Sequence, residues 1–207
     1  LLFSTGYMAN LAITSALVGR TDIIFQDKLN HASLIDAAKL SDAKFLRYQH
    51  NDLSQLERLL EKKRSDNRRL IMADAVFSMD GDLAPLDDLA ALAECHDAIL
   101  LVDEAHATGV IGPEGKGAAA HFGVQSGVGV SMGTLGKALA SYGAFACSDF
   151  EVIDYLVNRA RTFIYSTALP PGVLAAAGAA IELASGEEGA RRRGRLADLC
   201  GVFRAGL

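Results

Sequence analysis

Ile99-Leu100-Leu101-Val102-Asp103-Glu104-Ala105-His106 is the stretch on which the fold turns. Four apolar residues in a row suit a short strand buried on both faces, and the acids that follow mark its carboxyl end. Outward from it, short apolar runs alternate with longer amphipathic ones. Ser4 or Thr5 caps a predicted helix over Gly6 to Val18, which Gly19 ends. Ile23 to Phe25 reads as a strand, Ser33 to Leu40 as a helix and Lys44 to Tyr48 as a strand. Asp52 to Lys63 is an amphipathic helix with Leu53, Leu56, Leu59 and Leu60 on one side. Leu70 to Val76 is a strand, and Pro85 sits where the first turn of a helix over Leu86 to Cys95 tolerates it. Val128 to Met132 and Ala144 to Cys147 complete the strand candidates. This alternation predicts an α/β fold with a mostly parallel sheet sandwiched by helices.

The 207 residues are half hydrophobic and 22% charged, which excludes a disordered chain. A net charge of −5 offers no general pull toward nucleic acid or an anionic membrane. The basic run Arg191-Arg192-Arg193 reads as a solvated helix face. No segment reaches the roughly 18 continuous apolar residues of a membrane span, and no basic n-region with a cleavage site opens the chain, so a signal peptide is not expected. Cys95, Cys147 and Cys200 are odd in number and lack a C-x-x-C spacing. They fit buried or free thiols in a reducing compartment, and hence a cytoplasmic protein, better than a disulfide frame or a metal site. The start at Leu1 and the stop at Leu207 inside a helical pattern lead us to expect a piece of a longer chain.

In open parallel sheets ligands collect beyond the carboxyl ends of the strands. Ser78 follows one predicted strand, Asp103 and His106 another, and Thr134 and Lys137 a third. A carboxylate at a strand end and a lysine in the loop Gly133-Thr134-Leu135-Gly136-Lys137-Ala138 are what pyridoxal phosphate (PLP) requires. The amine holds the cofactor aldehyde as a Schiff base and the acid keeps the pyridine nitrogen protonated. Each residue has a plainer reading beside this one: Asp103 as a helix cap, Lys137 as a solvated side chain, His31 as a hydrogen-bonded structural residue. Ser4-Thr5-Gly6-Tyr7 opens a helix whose N-terminus suits a phosphate, as hydroxyl caps often do. His50 and Asn51 read as a turn before a helix.

Asp103-Glu104-Ala105-His106 also spells a helicase signature, but that motor needs a phosphate loop. Five residues before Gly136 stands Ser131 instead of Gly, and Ala138 follows Lys137 where Ser or Thr is required. The acids also precede the lysine, so the order is wrong. No G-x-G-x-x-G opens a βα unit early in the chain either, which sets aside a dinucleotide site.

Thr5 to Asn10, Asn30 to Ser33, Val76 to Asp82, Val102 to Gly109 and Gly133 to Ala138 together resemble the α-oxoamine synthases, in the right order. These are PLP enzymes with the aspartate-aminotransferase-like fold, and within them the pattern is most similar to the branch that serves biotin synthesis. The resemblance implies Lys137 as the Schiff-base lysine, Asp103 as partner of the pyridine nitrogen and His31 stacked on the ring. By the same resemblance Ser78 and His106 would lie near the phenolic oxygen, and Gly6 and Tyr7 would offer backbone to the phosphate, with Thr134 adding its hydroxyl. Ser166 and Thr167, after Tyr165, reach the phosphate of a neighbouring subunit, so a homodimer with shared sites is implied. Residues 1–185 then form the large cofactor domain, and 186–207 begin the helical link to a smaller C-terminal domain that supplies a carboxylate-binding arginine. The implied substrates are an amino acid, L-alanine first, and an acyl-CoA thioester such as pimeloyl-CoA. A glycine- or serine-using relative, including the 2-amino-3-ketobutyrate CoA ligase type, and a non-catalytic PLP-binding partner subunit are the alternatives.

Overall fold

In the computed structural model, which describes residues 1–62 and 67–206, the expected alternation closes into one sheet of seven strands among the described residues. The strands are β1 (Leu2–Phe3), β2 (Ile23–Asp27), β3 (Lys44–Tyr48), β4 (Arg69–Asp74), β5 (Ile99–Asp103), β6 (Val130–Thr134) and β7 (Ala144–Cys147). Their order across the sheet is β1-β7-β6-β5-β4-β2-β3. β3, β2, β4, β5 and β6 run parallel, and β7 pairs antiparallel with both β6 and β1. The helices are α1 (Gly6–Leu17), α2 (Ala32–Leu40), α3 (Leu53–Lys62), α4 (Leu86–Cys95) and α5 (Ala118–Phe122). They continue as α6 (Phe150–Arg159), α7 (Arg161–Ile164), α8 (Pro171–Ser185) and α9 (Glu187–Ala205).

Side chains alternate across a strand, and both faces of this sheet are covered. Leu70 and Met72 of β4, Leu101 of β5, and Val130 and Met132 of β6 pack on one face with Ala9, Ala12 and Ile13 of α1. Ile71 and Ala73 of β4 and Leu100 and Val102 of β5 pack on the other with Leu56 and Leu60 of α3 and Leu86 and Leu89 of α4. The same parity carries Asp74, Asp103 and Thr134 to the α1 face and Asp27, after Ile23 and Phe25, to the α3 face.

Several expected boundaries move. α1 stops at Leu17, with Val18 already extended as its cap. β4 stops at Asp74 instead of Val76, because Phe77 N–H donates to the Asp82 carbonyl and the chain folds back into a turn. β6 begins at Val130, since a short 3-10 helix over Gln125–Gly127 occupies the chain before it. The expected end of α3 at Lys63 lies outside the described residues. The three cysteines are free and exposed, so none is a buried thiol. Arg191 and Arg192 pair with Glu188 on the surface of α9, while Arg193 turns back to the Ala184 carbonyl at 2.6 Å. Among the described residues no helix is long and apolar enough to cross a membrane.

Gly133, near the end of β6, is demanded by close approach. A Cβ there would lie 2.3 Å from Phe145 Cζ and 2.8 Å from Thr108 Oγ1. Gly133→Ala should lower stability by about 1–3 kcal/mol through overpacking, measured as a lower denaturation midpoint at unchanged slope.

Candidate active site

β4 and β5 are in register so that Asp74 stands opposite Asp103 at their carboxyl ends, both 4% exposed. Buried carboxyls need donors. Asp103 Oδ2 accepts from Asn10 Nδ2 of α1 at 2.8 Å, and its Oδ1 from the Ala105 N–H at 2.9 Å. Asn10 Nδ2 also donates to Ser33 Oγ at 2.9 Å. That leaves the Ser33 hydroxyl to donate to His31 Nδ1 at 2.8 Å, which also accepts the Ser33 N–H at 3.2 Å as the cap of α2. His31 Nδ1 is therefore an acceptor. The circuit closes through the His31 N–H, which donates to Asp74 Oδ2 at 2.6 Å. Asp74 N–H in turn donates to Asn30 Oδ1 at 3.1 Å, and Asn30 Nδ2 to the Met72 carbonyl at 2.8 Å.

Burial pushes the carboxyl of Asp74 up to about 8, with the charge of Asp103 adding to the effect. Burial also raises Asp103, opposed by its bonds from Asn10 and Ala105 and by the charge of Lys137. Two carboxyls side by side in a dry site do not both ionise readily, and Asp103, with two donors, is the better holder of the negative charge. The amine of Lys137 is brought down by burial while Asp103 and Asp74 pull it back up. His106 is held below its ordinary value by burial and then by Lys137. One lysine, two carboxyls and two imidazoles thus share one electrostatic environment.

Lys137 is placed by a loop that leaves β6 and returns to β7. The Leu135 N–H donates to the Gly143 carbonyl, Ser141 N–H to Leu135 and Ala140 N–H to Lys137. Leu135 and Leu139, both buried, pin the loop on Ala177 of α8. At the other end of the site, Thr5 Oγ1 caps α1 by accepting from Met8 N–H at 3.1 Å. The N–H groups of Gly6 and Tyr7 have no acceptor within the helix, as at any helix start. A Cβ on Gly6 would lie 2.8 Å from Thr134 Cγ2, so this helix end and Thr134 touch.

Ser78 is exposed in the turn after β4, and His106 is half-buried just after β5. Ser166 and Thr167 are exposed and line, with Ser4 and Thr162, a cavity of about 220 Å³. Glu104, by contrast, points away from Asp103. It accepts the Ala118 N–H at 2.7 Å and the Ala119 N–H at 2.8 Å, capping α5. The second acid of the helicase-like signature is thus a structural cap.

Reading the sequence missed Asp74, Asn10, Ser33 and Asn30. Asp74 carried a signal, since it ends Leu70-Ile71-Met72-Ala73 as Asp103 ends its own run. Asn10 carried a weaker one, as a polar residue within a run of small and apolar helix positions. The link of Asn10 to Ser33 spans 23 residues and had no sequence signature.

Comparison with known proteins gives this geometry a family. The family described as aminotransferase class I and II matches residues 1–207. The chain is 55% identical over its whole length to the 8-amino-7-oxononanoate synthase of Citrifermentans bemidjiense and 53% identical to that of Geobacter sulfurreducens, covering 53% of each relative. It therefore spans about half the length of the curated relatives it matches. Among solved structures, a lysine-to-alanine variant of serine palmitoyltransferase from S. paucimobilis, with a bound PLP–myriocin aldimine, superposes with a TM-score of 0.91 at 33% identity, over 96% of this chain and 49% of that one. The 8-amino-7-oxononanoate synthase of Francisella tularensis gives 0.83 at 40% identity, over 95% of this chain and 56% of that one. The chain belongs to the class I and II aminotransferase family of PLP-dependent enzymes.

Proposed function

We propose that this protein condenses L-alanine with a pimeloyl thioester, pimeloyl-CoA or a carrier equivalent, giving 8-amino-7-oxononanoate, the free thiol and CO2. The observation that carries the reading is the convergence of the Lys137 amine, the Asp74–Asp103 carboxyl pair and the imidazoles of His31 and His106. Relatives more than half identical, named for that reaction, support it. The same reading takes residues 1–185 as the cofactor domain, 186–207 as the start of a link to a second domain, and two copies as the working unit. Ser166 and Thr167 then serve the phosphate of the partner copy.

PLP fits the residues present. A buried carboxylate already oriented by Asn10 and the Ala105 N–H suits a ring nitrogen, and the N-terminus of α1 against Thr134 suits a phosphate. When bound, the cofactor supplies an aldehyde that condenses with an amine and a ring that takes up the electron pair left by a broken Cα–H bond. Lys137 Nζ would be the amine that meets that aldehyde and the base that takes up the Cα proton. Burial favours its neutral form, which both tasks need. Asp103 would hold a proton at the ring nitrogen, its charged form favoured by Asn10 and Ala105 against the pull of burial. His31, oriented by Ser33, would set the ring plane. His106 and Ser78 would attend the phenolic oxygen, and Gly6, Tyr7 and Thr134 the phosphate.

Adding PLP should produce the visible absorption of a lysine–aldehyde adduct in the parent and not in Lys137→Ala; a parent without that band refutes the reading. Asp103→Asn should retain bound PLP while turnover falls on the order of a hundredfold or more. Because Asp103 pulls the Lys137 amine upward, the same substitution should also shift the pH midpoint of its labelling by amine-reactive reagents to lower pH. Thiol release compared across alanine, glycine and serine, each with pimeloyl-CoA and with a short acyl-CoA, should be fastest for alanine with the pimeloyl thioester. Faster release with glycine or serine would reassign the substrate.

A further inference from the structure

On the opposite face of the sheet from Asp103, a second buried carboxylate collects donors. Asp27 ends β2, and its side chain is 1% exposed. Its Oδ1 accepts from the Leu29 N–H at 2.8 Å and from His50 Nδ1 at 3.1 Å, and its Oδ2 from the Asn51 N–H at 2.8 Å. The other nitrogen of that imidazole, Nε2, reaches Asp82 Oδ2 at 2.8 Å, where Asn51 Nδ2 also donates at 3.0 Å. Asn51 reaches both acids from a left-handed backbone, φ 52°. The edge of the His50 ring meets Phe77, with centroids 4.4 Å apart and planes at 89°. Carboxylates only accept, so an imidazole bonded to one at each nitrogen donates twice, and only the imidazolium carries two N–H groups.

What the two acids belong to gives the cluster its meaning. Asp27 begins the loop that ends at His31, the cap of α2. Asp82 ends the turn that holds Ser78, a turn closed by Phe77 N–H donating to Asp82 O at 3.0 Å and Gly81 N–H to Phe77 O at 2.8 Å. We propose that His50, donating from both ring nitrogens to Asp27 and Asp82, is a positioning residue that ties the Ser78 turn to the His31 loop. The His50 link between the two then rests on a single proton, beside the bonds that Asn51 makes to both acids. The clamp stands on its own geometry; its consequence for PLP rests on the function proposed above.

Burial pulls the His50 pKa down, but the bonds and charges of Asp82 and Asp27 outweigh it, and the net direction is up from 6.5. The other titratable groups around it are Tyr48 of β3, whose hydroxyl is pushed up by burial and then by Asp27, and Asp74, which feels Asp27 weakly. Asp52, two residues on, is turned to Ser54 and Gln55. With a raised folded value, the stabilisation from the clamp is fully present below pH 6.5 and is lost as pH rises through that value.

The test is an NMR titration of the protein without cofactor, following the ring nitrogens of His50 and the amides of His31 and Ser78. Both ring nitrogens should be protonated below a midpoint raised above the ordinary histidine range, and both amides should shift with that midpoint. Asp82→Asn should lower all three midpoints together, and His50→Gln should abolish the shared transition of the amides. If His50→Gln fails to fold, Asp82→Asn decides. Amides that ignore the titration of His50, or keep their midpoint in Asp82→Asn, overturn the clamp. In parallel, PLP affinity should weaken over the same pH range in the parent, and in Asp82→Asn the loss should move to lower pH. A flat affinity beside a titrating clamp overturns its link to the cofactor. Failure to bind PLP at any pH would count against the proposed function instead, and the NMR result would still judge the clamp.

Discussion

Asp74 and Asp103 face each other across neighbouring parallel strands with almost no access to water. Placing two carboxyl groups there is costly unless one stays protonated and the other is matched by donors. That requirement organises the residues around them. It explains why an asparagine occupies the buried face of α1, why Ser33 links Asn10 to His31, and why the amide of His31 is spent on Asp74. It also sets the state of Lys137, whose amine is made less basic by burial yet kept from losing its charge altogether by the same two acids. In the proposed function this pair supplies the dry, preoriented carboxylate that would suit a cofactor ring.

The two faces of the sheet divide the labour. Period-two alternation sends Asp103 to the α1 face, where the chemistry collects, and Asp27 to the α3 face. Glu104, past the end of β5, supports α5. The chain thus uses consecutive acids for unrelated purposes, one held by Asn10 and the Ala105 N–H beside Asp74, the other a cap for two N–H groups. Hydrogen bonds across the sheet's carboxyl edge then link loops that no helix holds.

Much of this was legible from residue order. The parallel core, the strand-end cluster and the pairing of Lys137 with Asp103 follow from hydrophobic period and from residues that close apolar runs. The ends of β4 and β6 were not, because a backbone turn at Phe77 and a 3-10 turn at Gln125 are decided by hydrogen bonds that apolar patterning does not encode. His50 and Asn51 read as a plain turn, and they are one. Their partners, Asp27 and Asp82, lie 23 and 32 residues from His50, so nothing local announced them.

By itself, then, the sequence determined the alternation of strand and helix, the faces that must be buried and the residue types offered at each strand end. These depend on local period and composition. Only the tertiary structure decided which acid meets which donor, that Asp74 joins Asp103, and that His31 Nδ1 accepts from Ser33 while both ring nitrogens of His50 face acids. The reason is physical: register between strands and the approach of loops bring distant groups within hydrogen-bond range, and the protonation of a group is set by the neighbours it finds there.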